Sequence, residues 1–181
     1  MRRRLPLLPL LILAMLALAG CGSQAATGTS GTTVSGAQSG SGLNPLPSTF
    51  SLQNTNGQTV TEAVLKEHPY TMINVWSTTC GYCIKEMPDL QAAYAENPNP
   101  NMGLIGIATD YGNDDDVRQV VADKGVTYPV LITDRQFITD FLGQITAVPA
   151  TLVVDQSGNV KSVTYGARSK DDFVALMKAY Q

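Results

Sequence analysis

Trp76-Ser77-Thr78-Thr79-Cys80-Gly81-Tyr82-Cys83 is the stretch on which the fold turns. It closes an apolar run, Tyr70 to Trp76, that reads as a buried strand, and it opens a segment of helical texture from about Cys80 to Ala95. Ser77, Thr78 and Thr79 offer side-chain oxygens to cap that helix. Two cysteines three residues apart on a first helical turn have a mechanism attached. The first thiol meets the unpaired N–H groups and the positive end of the helix, which favour thiolate and bring its pKa below the free value of ~8.5. The second lies one turn in, close enough to close a disulfide. Cys80 is therefore expected as the exposed nucleophile and Cys83 as the recessed thiol that resolves a mixed disulfide. Other readings of the motif compete with this one. Haem attachment wants His after the second cysteine, where Ile84 stands. Zinc wants four ligands, and beyond Cys21 the chain holds Cys80, Cys83 and His68. An inert disulfide would close too small a loop to stabilise much. The strand-turn-helix setting favours redox chemistry and leaves the inert disulfide and the metal site as alternatives.

Working outward, the pattern alternates. Phe50–Leu52 and Gln58–Val60 flank Asn54-Thr55-Asn56-Gly57, a hairpin signal, and Thr61 can cap a short helix over 62–67. Met102–Ala108 is a second apolar strand. Asp114, Asp115 and Asp116 open a helix running to Lys124, with Gly125 as its stop; the acids are read as helix-start stabilisation rather than a cation site. Tyr128–Ile132 reads as a short strand and Gln136–Leu142 as a short helix ended by Gly143. Ala150–Val154 and Val160–Tyr165 form a hairpin, and Ser169 caps a last helix, 170–180. Strands alternating with helices, then a closing hairpin and helix, predict an α/β sandwich on a mixed sheet.

The chain has 181 residues, 44% hydrophobic and 15% charged, with a net charge of −3. Without Arg2, Arg3 and Arg4 it carries 9 basic groups against 15 acidic ones, a net of −6. That balance supplies no basic stripe for nucleic acid. Three cysteines exclude a disulfide-dense miniprotein, and the composition beyond residue 45 excludes a collagenous or wholly disordered chain. Residues 1–20, a basic start followed by an apolar run broken by Pro6 and Pro9, read as a secretory signal. Leu18-Ala19-Gly20-Cys21 resembles the bacterial lipobox, which implies a mature chain starting at a lipidated Cys21. Residues 21–45 then form a Gly/Ser/Thr-rich tether with a reach of roughly 25 Å, and 46–181 the folded domain.

The central stretch resembles the thioredoxin active site, with Pro88 five residues after the second cysteine. Val148-Pro149 and the run Ala150–Asp155 look like the cis-proline and strand that face the dithiol in that family. Asn74, Glu86 and Tyr128-Pro129-Val130-Leu131-Ile132 are similar to the TlpA/ResA branch, membrane-anchored extracytoplasmic thiol-disulfide oxidoreductases. The resemblance covers about Phe50 to Ala179. It implies a thioredoxin-like fold with a mixed central sheet flanked by helices, an N-terminal β-hairpin, and an insertion before the cis-proline, placed at 103–135. Two positions depart from the commonest pattern: Thr79 stands where a Trp is usual, and Tyr82 replaces a Pro.

From the same resemblance come the expected roles. Cys80 and Cys83 form the redox-active disulfide, Glu86 accepts the Cys83 proton, and a cis Pro149 presents the Val148 backbone to a substrate chain and keeps metals off the thiols. Trp76, Thr79, Gly81, Tyr82 and Val148 are candidate substrate contacts, Trp76 more as packing beneath the site. Asn74 stands where thioredoxins bury an Asp, and His68 is expected exposed and idle. No cofactor and no metal are expected. The implied partners are protein disulfides, such as apocytochrome c or an envelope reductase, a membrane electron donor of the CcdA/DsbD type, and the membrane itself through Cys21. A monomer is expected, and no nucleic acid. Competing readings are a disulfide oxidase or isomerase and a copper-handling protein of the SCO type, for which His68 is misplaced. A peroxiredoxin would want a Pro at Ile73 and a Thr at Ser77.

Overall fold

The computed structural model describes residues 41–181. The readings placed on residues 1–40, the signal, the lipidated Cys21 and most of the tether, lie outside them. Seven strands form one mixed sheet: β1 (Ser51–Asn54), β2 (Thr59–Thr61), β3 (Tyr70–Trp76), β4 (Met102–Ala108), β5 (Val130–Ile132), β6 (Ala150–Asp155) and β7 (Val160–Tyr165), in the spatial order β2-β1-β5-β4-β3-β6-β7. The helices are α1 (Gly81–Glu96), α2 (Asp114–Asp123), α3 (Arg135–Asp140) and α4 (Lys170–Lys178).

β3 is an interior strand next to the central β4, mostly apolar and buried from Thr71 to Trp76, so it is covered on both faces. It runs parallel to β4 along its whole length, with Asn74 opposite Gly106 and Trp76 opposite Ala108, and antiparallel to β6. The two-residue alternation splits its side chains. Met72 and Trp76 join the core under α1, α2 and α4, with Leu90, Val117 and Phe173, while Ile73 and Val75 join the core under α3, with Phe137 and Phe141. This is the thioredoxin-like mixed sheet, and the N-terminal hairpin β1–β2 extends it through β5.

Some boundaries differ from the sequence reading, each for a local reason. Of 103–135, read as an insertion, β4 is a central strand, so α2 and β5 are what that stretch adds. Tyr128 and Pro129 stay outside β5, since Pro129 has no N–H to pair. Gly143 lies inside a 3-10 turn, Leu142–Gln144, rather than ending α3. Residues 41–45, read as tether, are bound to the domain: Ser41 Oγ donates to Val160 O at 3.3 Å, and Asn44 N–H donates to Gln144 Oε1 at 2.7 Å. No helix among the described residues is long and apolar enough to cross a membrane.

Candidate active site

The end of β3 and the start of α1 bring the two cysteines together as a disulfide, Cα atoms 5.2 Å apart. Cys80 is itself the N-cap of α1: its backbone is extended, and its sulfur accepts from Cys83 N–H at 3.2 Å. The hydroxyls expected to cap the helix are engaged elsewhere. Ser77 Oγ and Thr78 Oγ1 donate to Asp110 Oδ1 at 3.0 and 2.7 Å, and Thr78 N–H donates to Asp110 Oδ2 at 3.0 Å. The sulfur thus takes the place a capping oxygen would hold, at the positive end of the helix.

Around that sulfur the surface is open. Cys80 is half-buried, Thr79 and Gly81 are exposed, and Tyr82 is 72% exposed. The Val148–Pro149 bond is cis, and the Val148 carbonyl oxygen lies 3.7 Å from Cys80 Sγ. Thr79, Gly81, Tyr82 and Val148 therefore share one accessible rim with Cys80. Trp76 does not. It is 0% exposed in the core under α1, so its place among substrate contacts is corrected: it packs beneath the site.

Behind the rim the setting is the reverse. Cys83 is fully buried, and Glu86, one turn later on the same helix face, is 2% exposed. Glu86 Oε1 accepts from Asn74 Nδ2 at 2.8 Å, and Oε2 accepts from Arg168 N–H at 2.8 Å. Burial holds its carboxyl above the ordinary value of 4.5, against the lowering effect of those two bonds. The Tyr128 hydroxyl is also pushed upward, by burial first and then by the nearby Glu86. Asn74 Oδ1, Trp76 Nε1 and Tyr128 OH are buried polar atoms without a protein partner among the described residues. Gly106 makes room for this group, since a Cβ there would lie 3.2 Å from Tyr128 Cε2 and 3.5 Å from Trp76 Nε1.

Three participants escaped the sequence reading: Asp110, Arg168 and the Tyr128 hydroxyl. Asp110 had a signal. It follows β4, the parallel neighbour of β3, and sites in such sheets gather at the carboxyl ends of the strands. His68, expected exposed, is half-buried with Nδ1 2.9 Å from Pro100 O. No group of three or more His, Cys, Asp or Glu side chains is placed to hold a metal among the described residues.

An open sulfur on a helix start, a cis-proline beside it and a buried carboxylate behind it define a thioredoxin-like protein with a disulfide site. The model of the AhpC/TSA family matches residues 44–163, and the chain belongs to that family. A crystal structure of a thiol:disulfide interchange protein, a thioredoxin family protein from Chlorobium tepidum, is 30% identical, covers 76% of this chain and 96% of its own, and superposes with a TM-score of 0.64. The thiol-disulfide oxidoreductase ResA of Bacillus subtilis is 27% identical over 71% of this chain and 72% of its own. The ResA of Oceanobacillus iheyensis is 29% identical over 55% of this chain, and the match spans about half of that relative, 51%. The resemblance read from the motif is met by these relatives.

Proposed function

We propose that the protein is a thiol-disulfide oxidoreductase that reduces disulfides of secreted or envelope proteins from a membrane-anchored, extracytoplasmic position. The observation that carries this reading is the contrast within one disulfide, an accessible Cys80 sulfur beside Val148 and a buried Cys83 one helical turn before the buried Glu86. In the reduced protein the Cys80 thiolate attacks a substrate disulfide and releases one substrate sulfur, which takes a proton. Cys83 then passes its proton to Glu86 and attacks Cys80, which frees the second substrate sulfur and reforms the Cys80–Cys83 bond. Two electrons pass from the pair to the substrate, and a membrane donor of the CcdA/DsbD type restores them. Apocytochrome c and envelope reductases are the substrates that the resemblance to the TlpA/ResA branch implies, and the lipobox-like Cys21 supports the anchor.

The open rim around Cys80 suits a polypeptide substrate. The depressions lined by Phe50, Leu52 and Phe137, and by Asn54, Val60 and Pro129, include neither cysteine nor Val148. Copper handling is disfavoured because His68 precedes β3, whose seven residues place it about 20 Å from the dithiol. The test is the reduction potential of the pair in glutathione buffers. A value near or below about −220 mV is expected for a reductant. A value of about −120 to −150 mV would overturn that direction in favour of an oxidase or isomerase. A pair that never equilibrates would overturn thiol exchange altogether.

A further inference from the structure

The turn that carries Cys80 is held from outside its own segment. Cys80 N–H donates to Ser77 O at 3.1 Å and closes the turn, and Thr79 N–H and hydroxyl meet Ser77 Oγ at 3.3 and 3.0 Å. Onto this turn Asp110 brings three hydrogen bonds, two from hydroxyls and one from the Thr78 backbone. Thr109 N–H donates to Trp76 O at 2.9 Å and fixes the two strand ends to each other. Hydrogen bonds to a carboxylate are roughly twice as strong as neutral ones, so the clamp is a firm one. Its position also has an electrostatic consequence. The bonded residues stand two and three places ahead of the sulfur-bearing N-cap, so a carboxylate lies beside the end of α1 whose field favours an anion at Cys80.

We propose that Asp110 is a positioning residue of the dithiol: it clamps the Ser77–Cys80 turn, and its carboxylate disfavours the Cys80 thiolate and so holds the pair toward the disulfide, the poise of a reductant. This rests on the reading of the pair as one that exchanges. In exchange with glutathione, two glutathione thiols give two electrons and two protons. The Cys80–Cys83 bond breaks and glutathione disulfide forms. Cys83 keeps one proton as a thiol, and the other is held by the Cys80 sulfur or released to solvent when that sulfur stays a thiolate. The more stable the thiolate, the further the equilibrium lies toward the dithiol. As a scale, a unit charge in a water-like medium changes such an equilibrium about threefold at a separation near ~7 Å.

The experiment compares the full-length wild-type chain with D110N and D110E in glutathione redox buffers. The dithiol fraction is read by alkylation and gel shift, and Tm is measured alongside. D110N loses the charge and one of the two accepting oxygens; its equilibrium constant is expected to move about threefold toward the dithiol, with a lowered Tm from the weakened clamp. D110E keeps the charge and is expected to lie closer to wild type than D110N does. A D110N equilibrium identical to wild type would overturn the proposal, and so would a D110E shift as large as that of D110N. Failure of the underlying reading looks different, because wild type itself would then not equilibrate with glutathione.

Discussion

One helical turn separates two unlike environments. At the front, Cys80 sits among exposed Thr79, Gly81 and Tyr82 on a polar turn tied down by side-chain hydrogen bonds. At the rear, Cys83 is packed with Trp76, Met87 and Leu90, and the nearest charged partner on its helix face is the buried Glu86. The difference teaches that attack and proton transfer are divided by burial: a substrate chain reaches only the front sulfur, and solvent does not serve the rear one. The sharpest way to break this comparison is to remove each sulfur in turn. Cys83→Ala is expected to lose about 10³-fold or more in turnover while a covalent substrate adduct accumulates on Cys80. Cys80→Ala is expected to lose as much and to capture nothing. Equal adduct yields from the two variants, on non-reducing gels, would show that the sulfurs are equally reachable.

The next effect belongs to the rear alone. Glu86→Gln is expected to slow the resolution step by about 10²-fold, read in single-turnover release of substrate, with the first attack little changed. The same variant sharpens the pH argument. The folded-state pKa of Glu86 is raised by burial, so the group's favourable contribution is full below the ordinary 4.5 and is lost as pH rises through the higher folded value. Relative to Glu86→Gln, the wild type should therefore lose denaturant stability as pH climbs from 4.5 toward neutrality. A constant difference between the two across that range would mean that Glu86 is not held above its ordinary value.

A third test probes how tightly the rear is built. Gly106 lies opposite Asn74, and an added Cβ would stand 3.1 Å from Val130 Cγ2 and 3.2 Å from Tyr128 Cε2, both on buried side chains. Gly106→Ala is expected to cost about 1–3 kcal/mol, seen as a lower urea midpoint with unchanged slope. No loss of midpoint would show that Tyr128 and Trp76 are free to shift, and the rear would be softer than its burial suggests.

The front was the more legible half in sequence. A short motif at a strand-to-helix junction announces itself locally, and Cys80 and the strands β3, β6 and β7 could be placed from neighbouring residues, while Pro149 came from the family resemblance. The rear could be placed only in part. Glu86 is visible three residues after Cys83, but its partner Arg168 is 82 residues away and contributes a backbone N–H, which no side-chain pattern reveals. Asp110 hides for a related reason. Thr109-Asp110 reads as loop, and only the parallel register of β3 with β4 sets it against Ser77 and Thr78. Trp76 adjoins the motif and was one candidate substrate contact, but its reading as packing beneath the site is the one the structure bears out, because strand alternation points it into the core with Met72. What sequence missed is what tertiary neighbours decide.

The smallest effect is expected where the front is widest open. Tyr82 is 72% exposed and accepts no packing role that its removal would disturb, so Tyr82→Ala should leave stability within about 0.5 kcal/mol of wild type. It lies between the two cysteines in sequence, on the exposed first turn of the helix whose N-cap sulfur a substrate must approach. Aromatic side chains at such rims supply contact area at low entropic cost, so the variant should lose several-fold in kcat/KM toward a protein disulfide, mainly through KM. Toward glutathione disulfide, too small to span the rim, the loss should be less. If both substrates lose equally, Tyr82 acts on the sulfur itself, and the front is an extension of the chemistry rather than a surface for choosing among substrates.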